Sequence, residues 1–269
     1  MKIIVLAGGL SPERDVSLTS GAGICKTLRE KGHQAFLLDV FFGLPYDTDK
    51  LDEVFDLPGG GLEIAEGIKT TVPDLEALKK QRPDQSDCLI GPNVLELCKM
   101  ADITFMGLHG SIGEDGKLQA MFDILDIHYT GPNALSCTLS MNKLVSKQIF
   151  KMSGVPTPRG TSLTPKTKDT PLSGLGYYLP LVLKPCSGGS SIGVFIVHTE
   201  EEYKEAVHQS FDINHEEKVV VEPYIKGQEF ACGILAGKAL PLVEIVPKDG
   251  LFDYANKYQA DGAQEICPP

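Results

Sequence analysis

Ile3-Ile4-Val5-Leu6 is an unbroken apolar run, partly β-branched, that stops at Gly8-Gly9, and such a run predicts a strand followed by a turn. Ser11-Pro12-Glu13 then gives a capping residue, a first-turn proline and a first-turn acid in the preferred order, so a helix is expected to start there. Helical spacing continues from Ala22 to Lys31 and ends at Gly32, and Ala35 to Val40 forms a second apolar run. Strand, helix and strand in succession make a βαβ unit on a parallel sheet. Residues 41 to 75 break the pattern: Pro58 followed by Gly59 to Gly61, several acids and weak periodicity predict a loop or insertion. A third buried strand, Ile103 to Leu108, ends at His109-Gly110. Lys117 to Leu125 and Met141 to Met152 carry helical spacing, the latter stopped by Gly154, Pro156 and Pro158.

From Tyr177 onward the apolar runs come in pairs. Leu181 to Lys184 and Val194 to Val197 flank a Gly/Ser loop, and Lys218 to Glu222, Phe230 to Leu235 and Ala239 to Val246 follow, the last two joined by the hairpin-like Ala236-Gly237-Lys238. Thr199 and Glu202 have the spacing of a capping box for a helix reaching about Phe211. The change of pattern puts a boundary near residue 140, between an α/β domain over 1–139 and an α+β domain over 140–269. No internal repeat is visible.

Composition narrows the class. A chain of 269 residues accommodates two domains at roughly 100 to 200 residues each. With 42% hydrophobic and 23% charged residues it sits near the average for a soluble globular protein. No stretch approaches the ~20 apolar residues that span a bilayer, and the apolar start is too short for a signal peptide, so a cytoplasmic location without membrane attachment is expected. Cys25, Cys88, Cys98, Cys137, Cys186, Cys232 and Cys267 are odd in number, scattered and never in a C-x-x-C pair, which argues for reduced thiols over disulfides or a zinc site. A net charge of −11 offers no basic surplus for a nucleic-acid backbone. Any anionic ligand must be held by a few placed cations and backbone amides.

Four stretches offer such chemistry. Gly8 to Ser17 has two adjacent glycines where a dinucleotide site would want G-x-G-x-x-G, and Glu13 sits where a phosphate would approach. Like charge repels phosphate and welcomes an ammonium, although an acid there also simply complements the helix dipole. The loop His109-Gly110-Ser111-Ile112-Gly113-Glu114-Asp115-Gly116 follows a buried strand, where ligands of open α/β sheets collect; a plain loop starting the next helix reads equally well. Lys184 ends an apolar strand, and Ser187-Gly188-Gly189-Ser190-Ser191-Ile192-Gly193 follows, so an ammonium and loop amides can face phosphate together. A flexible hairpin tip beside a snorkelling lysine is the blander alternative. Finally, Glu222-Pro223-Tyr224-Ile225-Lys226-Gly227-Gln228-Glu229 is an extended segment with two acids seven residues apart, able to meet an adenine edge and ribose hydroxyls, or else an ordinary interstrand loop.

Taken together, in this order and spacing, these stretches resemble the D-alanine-D-alanine ligase family over residues 1 to 269 outside the 41 to 75 region. The resemblance implies a Rossmann-like parallel-sheet domain followed by an α+β ATP-grasp domain. It implies ATP-dependent joining of two D-alanines through an acyl phosphate, for peptidoglycan precursor synthesis, with ATP and Mg²⁺ (or Mn²⁺) as cofactors and a homodimer as the assembly. Glu13 matches the acid beside the first D-alanine's amino group, and His109 and Glu114 match the family's HG-x-x-GEDG loop. Met141-Asn142-Lys143 matches M-D-K, and Lys143 and Lys184 match the two ATP-binding lysines, with Ser187, Gly188, Gly189, Ser190 and Ser191 as the phosphate loop. Glu222 and Glu229 match the adenine-side and ribose-side acids, with Ile225 between them. Asp253 to Tyr258 resembles the ω-loop DYEAKY. Lys257 would then lie near ATP phosphate and the second substrate's carboxylate, and Tyr258 would complete a catalytic network with Glu13 and Ser190.

Departures from the pattern are Asn142 for the usual Asp, Ser187-Gly188-Gly189 for a more charged loop, and Ala255-Asn256 for Glu-Ala. The family's R-x-D and E-x-N motifs, which carry the metal ligands and an arginine, would fall beyond Pro269, so no metal ligand is expected in this chain and its activity in this form is an open expectation. Two other readings stay open: a catalytically incompetent module binding ATP or D-amino acid, or a related ligase using D-serine or another second substrate. A nicotinamide-dependent dehydrogenase is a more distant one, prompted by Asp39 at the end of the second strand.

Overall fold

The computed structural model describes residues 1–45, 48–69, 71–214, 217–248, 254–258 and 262–268. The chain divides into two compact units, Met1–Met141 and Asn142–Pro269.

In the first unit, β1 (Lys2–Ala7), α1 (Arg14–Glu30) and β2 (Gln34–Asp39) form the expected βαβ unit. Two 3₁₀ turns, Thr48–Asp56 and Leu62–Ile64, come next, then α2 (Leu75–Gln81), α3 (Val94–Met100), β3 (Ile103–Met106), α4 (Lys117–Ile124) and α5 (Ala134–Met141). The strands are parallel in the order β2-β1-β3, with Ile3 opposite Ala35 and Ile103. Successive residues of a strand point to opposite faces, and here both faces are covered. Ile4 and Leu6 pack with Phe36, Leu97 and Phe122, while Ile3, Val5 and Ala7 pack with Leu18, Cys25 and Leu37. That double burial is why β1 reads as a continuous apolar run.

The region 41 to 75, expected as loop or insertion, is part of this core. Leu51, Val54 and Phe55 of the first 3₁₀ segment are almost wholly buried against the β1 face. Helix α1 also starts later than expected. Ser11 turns the chain first, its carbonyl accepting from the Arg14 amide at 3.1 Å and its hydroxyl from the Glu13 amide at 3.2 Å, so Glu13 rather than Ser11 occupies the cap position.

The second unit opens with α6 (Lys143–Met152), β4 (Thr161–Leu163), α7 (Leu172–Leu175), β5 (Leu181–Pro185), β6 (Phe195–Val197), α8 (Glu200–Asn214) and β7 (Val219–Pro223). The helix expected from Met141 starts at Lys143. Asn142 is extended, with φ −86° and ψ 102°, and its side chain caps the helix by accepting from the Val145 amide at 3.1 Å. The strands form an antiparallel sheet in the order β4-β7-β5-β6. One face is apolar: Leu181, Leu183, Val219 and Val221 pack with Tyr203, Ala206 and Val207 of α8. The opposite face presents Val182, Lys184, Val220 and Glu222, since side chains alternate along each strand. At the start of α8 the Thr199 hydroxyl accepts from the Glu202 amide at 3.1 Å, whereas the Glu202 carboxylate accepts from His198 at 2.6 Å, one residue earlier than in the expected box.

The remaining elements are β8 (Glu229–Leu235), β9 (Lys238–Pro247), α9 (Tyr254–Tyr258) and β10 (Ala263–Ile266), the strands forming a second antiparallel sheet. The β8–β9 hairpin turns on Ala236 (φ 49°) and Gly237 (φ 75°), two left-handed residues whose twist matches that of the strands. Among the described residues no helix is long and apolar enough to cross a membrane.

Candidate active site

In a sheet of order β2-β1-β3 the chain leaves β1 toward one edge and returns to pair on its other side, so a crevice opens at the carboxyl ends of β1 and β3. The loops after those two strands meet there. Ser17 Oγ accepts from the Gly8 amide at 2.9 Å and donates to the Gly107 carbonyl at 2.7 Å, tying one loop to the other. Glu13 is buried at the first turn of α1, and Gly110, at φ +75°, sits so close that a Cβ there would come within 3.1 Å of Glu13 Oε2. The Gly110 amide donates to Glu114 Oε2 at 2.6 Å. Two carboxylates thus flank Gly110, with the half-buried His109 beside it. Ile112, a buried β-branched residue at φ 56°, holds a costly backbone conformation in the same loop, which fixes its shape. Burial pushes the nearby Cys137 thiol up, with the Glu114 and Asp115 charges adding to the effect.

Asp39 has a different task from the ribose contact a dinucleotide site would need. It is buried, ion-paired with Arg14, and its Oδ1 accepts from the amides of Phe41 at 2.8 Å and Phe42 at 3.1 Å. Arg14 in turn donates to the Gly9 carbonyl at 3.0 Å and lies over the Phe42 ring at 4.9 Å. This pair locks the first loop and engages the carboxylate that a nicotinamide cofactor's ribose would need.

In the second unit the polar face of the β4-β7-β5-β6 sheet carries a cluster of cations. Lys184 on β5 and Glu222 on β7 are diagonal neighbours on that face, since Lys184 pairs with Val220 and Val182 with Glu222. Lys184 Nζ donates to Glu222 Oε1, and Glu222 is buried. A second lysine, Lys147 of α6, reaches Glu222 Oε2 at 2.5 Å and Thr157 Oγ1 at 3.2 Å. One turn earlier, Lys143 Nζ donates to the Gly188 carbonyl at 2.8 Å, and its amide donates to the Cys186 carbonyl at 2.9 Å. Helix α6 therefore supplies one lysine to the Gly/Ser loop and the next, on the same face, to the buried acid.

The Gly/Ser loop is wound left-handed at Gly188 (φ 93°), Ser190 (φ 51°), Ser191 (φ 57°) and Gly193 (φ 71°). Such turns gather successive amides on one side, the arrangement that receives anions. Ser190 Oγ and Tyr258 Oη are hydrogen-bonded at 2.6 Å, and the Tyr258 ring packs edge-on against Tyr254 at 4.9 Å. Lys257 is half-buried in the same short helix, and Asp253 lies outside the described residues. Ser187 is half-buried and Gly189 exposed within the loop. Ile225 is exposed after β7, and Glu229 is exposed at the start of β8, in the other sheet from Glu222.

The expected residues are thus gathered in two sets. Glu13, His109 and Glu114 belong to the first unit; Lys143, Lys184, the 187–191 loop, Glu222 and Tyr258 belong to the second. Ser17, Arg14 and Lys147 were missed by the sequence reading. The first two carry no motif of their own, whereas Lys147 had a signal in its four-residue spacing from Lys143. Among the described residues no three His, Cys, Asp or Glu side chains gather in a way that could hold a metal ion.

A parallel α/β unit preceding an antiparallel sheet, with lysines and a left-handed Gly/Ser loop on one face, is the architecture of ATP-grasp ligases. The comparisons narrow the class. The family model described as D-ala D-ala ligase N-terminus matches residues 2–132, without leaving out the 41 to 75 region, and that described as D-ala D-ala ligase C-terminus matches residues 158–269. A D-alanine--D-alanine ligase of Lacticaseibacillus casei is 40% identical over 271 residues, spanning 100% of this chain and 74% of the relative, and that of Geobacter sulfurreducens is 34% identical, spanning 100% and 69%. The crystal structure of D-alanine--D-alanine ligase from Bacillus anthracis superposes with a TM-score of 0.67 at 30% identity, covering 99% of this chain and 71% of that one. The same enzyme complexed with ATP gives a TM-score of 0.65 at 27% identity, covering 99% and 70%. The chain belongs to the D-alanine-D-alanine ligase family, and its class of reaction is ligation.

Proposed function

We propose that the chain joins two D-alanines at the expense of ATP, in the cytoplasm, as a step in making peptidoglycan precursors, and that it works as a homodimer. The observation that carries this reading is the polar sheet face on which Lys143, Lys184, the left-handed Gly/Ser loop and Glu222 converge. Lysine ammonium groups and loop amides suit a triphosphate, and Glu222 followed by the extended 223–228 segment suits an adenine edge. Glu229 would take the ribose hydroxyls, with Ile225 between the two acids. The relative from Bacillus anthracis whose structure contains ATP supports the nucleotide assignment.

In the first unit, Glu13 would receive the ammonium of the first D-alanine, with His109 and Glu114 shaping the loop around it. A carboxylate oxygen of that D-alanine attacks the γ-phosphorus, the bond to the β-phosphate oxygen breaks, and ADP leaves with its electron pair. The acyl phosphate so formed has a good leaving group where the carboxylate had none. The amine of the second D-alanine then attacks the carbonyl carbon, loses a proton, and expels inorganic phosphate. Lys257 would hold the second carboxylate, and Ser190 and Tyr258 would close the network over the reacting atoms. Positioning and charge compensation supply the acceleration, and no covalent enzyme intermediate is involved. Magnesium would neutralise phosphate charge when bound, while the side chains of this chain act through their own charges and hydrogen bonds.

The test is ADP release, measured with and without D-alanine, alongside mass detection of the dipeptide. D-alanine-dependent ADP and dipeptide in equal amounts support the reading. ADP release that is indifferent to D-alanine, or nucleotide binding that Glu222→Gln and Lys184→Met leave unchanged, refutes it.

A further inference from the structure

We propose that Lys147 is a positioning residue of the nucleotide site: it keeps Glu222 paired and oriented while Lys184 swings its ammonium from that carboxylate to the phosphates of ATP. The inference rests on the proposed assignment of Lys184 and Glu222 to ATP.

The arrangement is unusual in its charge inventory. One buried carboxylate, that of Glu222, is shared by two ammonium groups, Lys184 on Oε1 and Lys147 on Oε2. A single lysine would have sufficed to neutralise it. A buried charge that loses its only partner is strongly destabilised, so a one-lysine pair would resist being opened by a ligand. With two, Lys184 can leave and the carboxylate remains compensated.

The two lysines are not equivalent, and the differences indicate which one moves. The Lys184 side chain is 25% exposed and that of Lys147 is 14% exposed. Lys147 has a further partner in Thr157 Oγ1 at 3.2 Å. Its stem also passes over a glycine: a Cβ at Gly160 would come within 3.1 Å of Lys147 Cε, 3.2 Å of the Val221 carbonyl and 3.4 Å of Glu222 Cβ. The missing side chain at Gly160 leaves the lane in which Lys147 lies. Lys184 instead lies next to last in β5, close before the Gly/Ser loop, the place from which an ammonium reaches phosphate. Lys147 is thereby the fixed counter-ion and Lys184 the exchangeable one. A carboxylate oriented by a fixed partner on Oε2 then leaves Oε1 as an acceptor for the adenine amino group.

The experiment is ATP binding by titration calorimetry on the full chain, with the KM values for ATP and D-alanine measured separately. Lys147→Met should weaken ATP roughly tenfold to a hundredfold, the loss expected of a charge-assisted hydrogen bond. The KM for D-alanine should stay as in the wild type, which a general loss of structure would not allow. Lys147→Arg, which keeps the charge and a donor, should recover most of the affinity. Glu222→Gln should weaken ATP by itself, and adding Lys147→Met to it should change nothing more, because the lysine acts through that carboxylate. If Lys147→Met alone does not fold, the double variant leaves no buried carboxylate without its fixed partner and carries the comparison against Glu222→Gln alone. ATP binding by Lys147→Met equal to wild type, or an equal loss with and without Glu222→Gln, overturns the inference. Losses at Glu222 and Lys184 without one at Lys147 overturn it while sparing the nucleotide site. No loss at any of the three overturns the site assignment itself.

Discussion

Arg14 and Asp39 form a buried ion pair between the first turn of α1 and the last residue of β2. Asp39 also receives loop amides, and Arg14 also donates to the Gly9 carbonyl, so the pair fixes the turn that delivers Glu13 to the crevice. Arg14→Met should destabilise the first unit by about 3–5 kcal/mol, because it leaves Asp39 charged, buried and without its cation. Urea unfolding followed by circular dichroism measures this. A loss below about 1 kcal/mol would show the pair to be screened by water after all.

The pair also illustrates what was legible in the sequence and what was not. The βαβ start could be read because both faces of β1 are covered, which forces apolar residues from Ile3 to Ala7. The polar-face lysine Lys184 could be read because it interrupts an apolar strand beside a glycine-serine loop. By contrast, Leu51, Val54 and Phe55 sit in a 3₁₀ segment dense with acids, where neither the strand nor the helix period applies, so a piece of core looked like loop. Lys147 carries only its four-residue spacing from Lys143 as a local signal. Only the tertiary position of Glu222, 75 residues further on, makes it part of the site. Arg14 and Asp39 are likewise 25 residues apart and meet because the strand and helix pack antiparallel, a relation that no local pattern encodes.

Asn142 both caps α6, through the Val145 amide, and lies 3.3 Å from Cys186 Sγ, at the foot of the Gly/Ser loop. Asn142→Ala should cost about 1 kcal/mol of stability from the lost cap. Asn142→Asp, the residue usual in the family, keeps the acceptor and places a negative charge at a helix N-terminus, so it should equal the wild type or gain a few tenths of a kcal/mol. Thermal unfolding of the two variants in parallel decides it, and equal melting temperatures for Ala and Asp would show the cap to be idle.

Burial pushes the Cys98 thiol up to about 12 and the Cys25 thiol up to about 11. Both are raised above the ordinary value of 9.0, so the folded chain holds these protons more tightly than the unfolded one. Their contribution to stability is full below about pH 9. It falls as the pH rises from there through the folded values, since only the unfolded chain ionises easily in that window. Unfolding free energy measured from pH 8 to pH 11 should decline, and Cys98→Ala should flatten part of that decline. At pH 8, Cys88, Cys232 and Cys267 are exposed and should react with a thiol reagent in the folded state, while Cys25 and Cys98 should wait for denaturant. Rapid modification of Cys98 in the native protein would contradict the burial.

Tyr258 joins Ser190 through a 2.6 Å hydrogen bond and holds its ring against Tyr254. Tyr258→Phe removes the hydroxyl and keeps the ring, so the packing of α9 should survive and the change should isolate the bond. Its loss should cost the closed arrangement of the Gly/Ser loop about 1 kcal/mol. The consequence for specificity follows from what the second substrate presents. D-alanine brings an amine and D-lactate a hydroxyl, so a network that includes the Tyr258 hydroxyl can discriminate between the two. Tyr258→Phe should therefore raise the use of D-lactate relative to D-alanine while leaving ATP affinity within a few fold, since the ammonium groups of Lys143 and Lys184 are untouched. A competition assay with both second substrates, products separated by mass, gives the ratio. An unchanged ratio would remove Tyr258 from the specificity-determining network and leave the bond to Ser190 as a latch on the loop alone.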